Sequence, residues 1–326
     1  MFYIRRTMNK LLLTSIALSL AASSLALEYE PTWRWAENAP IYRLHISAYA
    51  VDDYSHFTGG SASNLSNRVR TKNAFIQYIE ESANRAYPNM PTPIHGYMYN
   101  NSGATKANFK NAQLYHSNIV FFAGHGAQQT LAFYDQPMAV SQKPYGGDIK
   151  WVFYDACEVL NINKDGQLNV PLYSNPSPLD NNKLMNLYGA FIGVHAILGY
   201  YSLGRDDPYY TSNGVTVYQH VKYKYFAEYF IENDFTLWEA YYWAHNRTFN
   251  EFDQVWMNAG AGHIPGFTPA IAFMAGTDQH GRYHDGSAEK FSSTYEVGLD
   301  PRKEGTNYSM YILYQEFGTP EYYPED

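Results

Sequence analysis

Apolar residues recur along this chain in two rhythms. Ala74, Phe75, Tyr78, Ile79 and Ala83 repeat at the three-to-four spacing of one helix face, which predicts a helix over 69–86 that Pro88 stops. Val217, Tyr218, Val221, Tyr225 and Tyr229 repeat likewise and predict a second over 217–231. Thr236-Leu-Trp-Glu239 reads as a capping box, in which the threonine and glutamate satisfy each other's free amides, and opens a helix over 236–247. A further helix is expected over 183–191. Alternating or continuous apolar runs predict strands over 41–50, 94–99, 118–123, 151–154, 193–200, 268–275 and 307–314. Pro269 falls near the start of its strand, where a missing donor is tolerated. Strands alternating with helices call for a largely parallel sheet covered on both faces. With neither repeat nor linker, residues 27–326 read as one domain carrying an irregular C-terminal extension from about 277.

Two polar stretches interrupt this pattern. Residues 55–67 are rich in Gly, Ser and Asn, and residues 165–180 hold three prolines and no periodicity, so both are loops. The second follows directly on the 151–154 strand, and long loops at a sheet end shape sites.

The chemistry gathers at two strand exits. Asn118-Ile-Val-Phe-Phe-Ala-Gly-His125-Gly126 and Trp151-Val-Phe-Tyr-Asp-Ala-Cys157 each put one reactive side chain just past a buried strand, where open α/β sheets place their ligands. Cys157 is the only cysteine of the chain. A thiol and an imidazole at neighbouring exits are the minimum parts of a nucleophile and its acid/base partner. The alternative for each residue alone is structural, a buried cysteine and a turn histidine. In the catalytic reading Gly126 lets the backbone approach a reacting carbonyl, and its N–H together with that of Cys157 forms an oxyanion hole.

These blocks resemble the clan of cysteine peptidases that holds caspases, metacaspases, legumains, gingipains and clostripain. Phe121-Phe-Ala-Gly-His-Gly126 is similar to the metacaspase histidine motif, and Asp155-Ala-Cys-Glu158 stands between the metacaspase and legumain cysteine motifs. The resemblance implies a caspase-like three-layer α/β/α sandwich with a mostly parallel central sheet, and His125 and Cys157 as the dyad. It spans roughly 40–276 by strand order and is specific over the two blocks. The chain departs from the family in its shorter His–Cys gap, against roughly 50 residues in caspases, and in Val159-Leu160-Asn161 where Gly or Ser often follows the cysteine. Asp155 resembles the acidic position of metacaspases. It implies a basic substrate residue, Arg or Lys, on the acyl side of the cleaved bond, read by an ion pair in a desolvated pocket. Glu158 and Asp180 are the other acidic candidates for that substrate-binding role, and for Asp155 the alternative is a cap on the following turn.

Other clusters are weaker. Residues 161–172 partly match a Ca²⁺ loop, but Leu172 stands where an EF-hand has its bidentate Glu, so a polar turn is the better reading and no cofactor is expected. His280, His284 and Asp285 lie close in a Gly-rich stretch without a partner cysteine, and no metal is assigned to them. His195 and His245 fall within apolar patterns and read as satisfied core or helix-face residues, while His263, between glycines, is a candidate to line the cleft.

Composition bounds the function classes. Arg5, Arg6 and Lys10, an apolar run over 11–20 and Ser24-Leu25-Ala26 read as a signal peptide over 1–26, which places the mature chain outside the cytoplasm, secreted or periplasmic. No later apolar run is long enough to span a membrane. A net charge of −8 gives no footing for nucleic acid. One cysteine cannot make an internal disulfide, so the core must carry stability, and the 32 tyrosines supply material for it. Two functions follow: an exported cysteine endopeptidase acting on a peptide or protein substrate, or an inactive caspase-like binding or adhesion module using Tyr-rich loops.

Overall fold

The computed structural model describes residues 14–15, 44–143, 145, 149–161, 187, 190–204, 210–212, 215–258, 260, 263–264, 266–278, 281–292 and 305–318. The expected signal peptide (apart from residues 14–15), the 165–180 loop with Asp180, and His280 lie outside them. So does the 161–172 turn beyond Asn161 and most of the 183–191 helix.

The central sheet is built from β1 (His45–Ala50), β2 (Ile94–Asn100), β3 (Ile119–Ala123), β7 (Trp151–Asp155), β8 (Ala196–Tyr200), β11 (Pro269–Thr277) and β13 (Asn307–Tyr314). Its order is β13-β11-β8-β7-β3-β1-β2. Thr14–Ser15 pairs outside β13, and β12 (Tyr283–Asp285) pairs with β11. The run from β8 to β2 is parallel throughout, whereas β11 and β13 are antiparallel to their neighbours. The chain first moves outward from β1 to β2, then crosses back to β3 on the other side of β1 and continues to β7 and β8. The strand order thus reverses direction at β1, and open α/β sheets place their ligands outside the carboxyl ends of the strands at such a point.

The central strands are buried on both faces, which is why they read as continuous apolar runs. Side chains alternate between two cores. Phe121, Phe153 and Leu198 face a layer made of α1 (Arg68–Ala86), α3 (Val221–Ala227) and α4 (Leu237–Asn258), where Phe75 stacks on Phe121 at 4.3 Å and meets Tyr223 edge-on. Phe122, Val152 and Ile197 face the opposite layer. That layer includes Phe109 of α2 (Lys106–Asn111) and a small antiparallel sheet of β4 (Gly126–Ala127), β5 (Thr130–Ala132) and β6 (Pro137–Ala139). The result is the three-layer α/β/α arrangement with a mostly parallel central sheet. Several tyrosines, among them Tyr49, Tyr154, Tyr200 and Tyr223, are core residues and not a ligand surface.

The elements differ from the expectation at three points. The helix expected from 217 begins at Val221, because Val215–Val217 (β10) pairs in a hairpin with Tyr210–Ser212 (β9), and the helix continues as a π turn over Glu228–Glu232. The capping box forms as expected, Thr236 and Glu239 bonding reciprocally, but its helix runs on to Asn258 instead of stopping near 247. The β4–β6 hairpin sheet was not anticipated, since strands of two or three residues leave no periodic signal.

Candidate active site

His125 and Cys157 stand at one level of the sheet. Ala123 is the register partner of Asp155, and each reactive residue lies two positions further on. The Gly124 N–H donates to the Asp155 carbonyl at 3.2 Å, so the two exits stay coupled after regular pairing ends.

His125 is held at three points, two through its backbone and one through its ring. The His125 N–H donates to the Tyr54 hydroxyl at 2.7 Å, and its carbonyl accepts the Ala132 N–H at 3.0 Å. Its Nε2 lies 2.8 Å from the Ser63 carbonyl. A carbonyl only accepts, so Nε2 carries the proton and Nδ1 is the basic nitrogen of the neutral ring. The Tyr54 hydroxyl in turn donates to the Ala132 carbonyl at 3.1 Å, and burial, as the largest cause, pushes that phenol well above its usual range. The polar 55–67 loop thus has a specific task, which is to bring a backbone acceptor to the histidine.

Gly126 is needed where it stands. A Cβ there would lie 2.6 Å from the Cys157 carbonyl oxygen and 2.8 Å from the Ala156 Cβ, so only glycine lets the β4 hairpin rest on the Ala156–Cys157 backbone. The two peptide units assigned to an oxyanion hole are therefore packed together. Cys157 is 6% exposed, and its thiol donates to the Gly204 carbonyl at 3.5 Å. Glu158 follows with φ of +48°, in the left-handed region, where a non-glycine residue is uncommon, and its N–H donates to the Ser202 carbonyl at 3.0 Å. Its side chain is buried, so the chain turns sharply and inward right after the cysteine.

Asp155 continues the Trp151, Phe153 alternation and points to the helical layer. There it meets two cations, Arg68 Nη1 at 3.2 Å from Oδ1 and Lys222 Nζ at 3.2 Å from Oδ2, with all three side chains at most 3% exposed. Burial pushes the Asp155 carboxyl up, but the Lys222 and Arg68 charges outweigh it and hold the group below its usual range. Arg68 reaches this point because Asp52, in the loop after β1, caps α1 by accepting the N–H groups of Arg68 and Val69 at 2.5 and 3.2 Å. Sequence reading missed Arg68, Lys222, Tyr54 and Ser63. The only signal was a charged residue at a position of the inward helix face, as with Lys222 one residue from Val221.

Behind Lys222 runs a buried relay. Lys222 Nζ donates to the Tyr200 hydroxyl at 2.5 Å, that hydroxyl lies 3.2 Å from His245 Nε2, and His245 Nδ1 donates to the Tyr241 carbonyl at 2.8 Å. These roles close only around a neutral His245, and burial, aided by the Lys222 charge, pushes it down to about 3. An unfolded histidine titrates near 6.5. Below that value the unfolded chain takes up a proton that the native state refuses, so His245 contributes stability above about pH 6.5 that is lost as pH falls toward about 3. The loss is at most about 1.4 kcal/mol per pH unit. Chemical unfolding of wild type and His245→Gln between about pH 6 and pH 4 is expected to show a shallower pH slope in the variant, by about one proton. Equal slopes would count against a neutral His245.

Three further histidines sit against carboxylates. His195 Nδ1 pairs with Glu289 at 2.5 Å, and the Trp151 indole donates to the same carboxylate at 2.8 Å, at the end of the sheet opposite Cys157. His284 lies against Asp278 at 3.2 Å, and the exposed His263 against Asp253 at 2.9 Å. Among the described residues no group of three or more His, Cys, Asp or Glu side chains is arranged to hold a metal, and no helix is long and apolar enough to cross a membrane.

What fold and site define together is an α/β protein with a histidine and a cysteine at adjacent parallel strand exits. No protein-family model matches the chain, and no curated protein matches it by sequence. Solved structures do match. The Arg-specific cysteine proteinase gingipain R aligns at TM-score 0.40 and 13% identity, covering 85% of this chain and 65% of that one. The complex of Porphyromonas gingivalis RgpB pro- and mature domains gives 0.39 and 12%, covering 85% and 66%. A secreted C11 cysteine protease from Bacteroides thetaiotaomicron, in complex with an irreversible peptide inhibitor, gives 0.37 and 10%, covering 71% and 66%. These structural neighbours are cysteine proteases, and the chain spans about two thirds of their length. What this chain does is read from its own residues.

Proposed function

We propose that the chain is an exported cysteine endopeptidase of the caspase-like kind. The observation that carries the reading is that His125 and Cys157 each lie two residues past the register partners Ala123 and Asp155, with the imidazole proton committed to the Ser63 carbonyl. Adjacent strands lie about 4.8 Å apart, close enough for both side chains to converge on one substrate carbonyl. In the proposed reaction the Cys157 thiol gives its proton to His125 Nδ1 and forms the S–C bond. The Gly126 and Cys157 N–H groups hold the oxyanion. The C–N bond then breaks, His125 protonates the leaving amine, water attacks the thioester with His125 again as base, and the C–S bond breaks as His125 returns the proton to the Cys157 sulfur. Export is supported by the basic, apolar and small-residue order of residues 1–26.

One observation favours the second reading, an inactive caspase-like binding module. The cysteine is almost covered, and its thiol already donates to Gly204, so a substrate must displace that contact. Incubation with a panel of peptidyl electrophiles separates the two. Because Cys157 is the only thiol, one adduct by intact-mass measurement is unambiguous. The peptidase reading expects rapid, peptide-dependent labelling and cleavage within a positional-scanning peptide library. Absence of both, with and without calcium, defeats it in favour of the module.

A further inference from the structure

We propose that Asp155 is a positioning residue that fixes the exits of the Cys157 and His125 strands, and that it reads no part of the substrate. The proposal rests on the peptidase reading of the same site and departs from the specificity role that its position in the Asp155-Ala-Cys157 motif implied. Contacts from Arg68, Lys222 and Gly124 converge on this one residue. Arg68 Nη1 donates to its carboxylate at 3.2 Å and lies 3.5 Å from its carbonyl oxygen. Lys222 Nζ holds the carboxylate from the α3 side, 3.3 Å from Oδ1 and 3.2 Å from Oδ2. The Gly124 N–H takes the carbonyl at 3.2 Å. Helices α1 and α3 and the exit of strand β3 are thereby tied to the last residue of β7, two positions before the thiol, and the Gly124 link lies one position before the histidine.

A carboxylate placed to read a substrate cation needs an approach path and a vacant charge. Asp155 is 1% exposed, and it already has two cations within hydrogen-bonding reach. A third would have to displace Arg68 or Lys222 into an apolar layer or share the carboxylate against their repulsion, and neither is favourable. What the arrangement does supply is rigidity where the backbone leaves the sheet. The next two peptide units carry the nucleophile and one oxyanion donor, and an error of about 1 Å there costs about 100-fold in rate.

The test is steady-state kinetics on the best library peptide, with thermal unfolding alongside, for wild type, Asp155→Asn, Lys222→Met and Lys222→Arg. Lys222→Met leaves the Arg68–Asp155 pair balanced, so it carries the test if Asp155→Asn does not fold. Asp155→Asn and Lys222→Met are expected to lower kcat about 10- to 100-fold with KM within about threefold and an unchanged acyl-side preference across the library. Lys222→Arg should restore most of the rate. A folded Lys222→Met enzyme with wild-type kcat overturns the proposal. So does an Asp155→Asn enzyme that selectively loses peptides with Arg or Lys on the acyl side, which would make Asp155 the substrate-reading carboxylate. Wild type that cleaves no peptide defeats the peptidase reading itself and this proposal with it, a result distinct from both.

Discussion

Cys157→Ala is expected to lower peptide hydrolysis by at least about 10³-fold while leaving the protein folded. The chain has a single thiol, so no other side chain can take over formation of the S–C bond. Only the oxyanion donors and substrate binding remain, and these give a small residual rate. The fold should tolerate the change. The side chain loses one sulfur in a nearly covered site, a loss of about 1 kcal/mol, and its thiol contact to Gly204 is long at 3.5 Å. Turnover of a library-selected peptide, with circular dichroism as the control for folding, checks this. Wild-type turnover in a folded Cys157→Ala protein would remove the cysteine from the chemistry and leave the structural role.

The second large effect is on stability. Asp155→Ala removes the carboxylate shared by Arg68 and Lys222 and leaves two cations without it in a layer where neither is more than 3% exposed. Breaking a buried ion pair from one side costs about 3–5 kcal/mol, a large share of the margin of a typical domain. Denaturant titration near neutral pH is expected to show this loss. A change below about 1 kcal/mol would mean that the cluster behaves like an exposed pair. The sign with pH follows from the lowered Asp155 carboxyl. The native group stays ionised below the unfolded value of about 3.9, so its contribution is present above that value and is lost as pH falls through the lower native one. Wild type should lose stability in strong acid through this group, whereas the alanine variant has no such contribution to lose.

The second effect does not follow from the local sequence. In Trp151-Val-Phe-Tyr-Asp-Ala-Cys157 the carboxylate reads as a motif residue with an open role, because its partners are 87 and 67 positions away. Arg68 opens an amphipathic helix, and its charge looks like a solvated end. Lys222 stands among apolar positions of a helix whose start the apolar repeat from Val217 and Tyr218 places earlier than the structure does. The Ser63 carbonyl is a backbone atom in a polar loop, so no residue type announces it.

Local order did determine a good deal. The runs over 118–123 and 151–154 are mainly apolar, each leads to a reactive residue beside a small one, and both form central parallel strands with His125 and Cys157 just beyond them. The 69–86 helix, the 307–314 strand and the Thr236–Glu239 box form where patterning and capping place them, since each depends on neighbours a few residues away. Tertiary structure alone decided the antiparallel β11 and β13, the hairpin sheet after His125, the proton position on the imidazole and the double pairing of Asp155. Period and capping act over one or two turns of chain. The register between strands, and the partner of a buried charge, depend on which distant segments the core brings within about 4 Å, and at that range burial makes the choice costly to reverse.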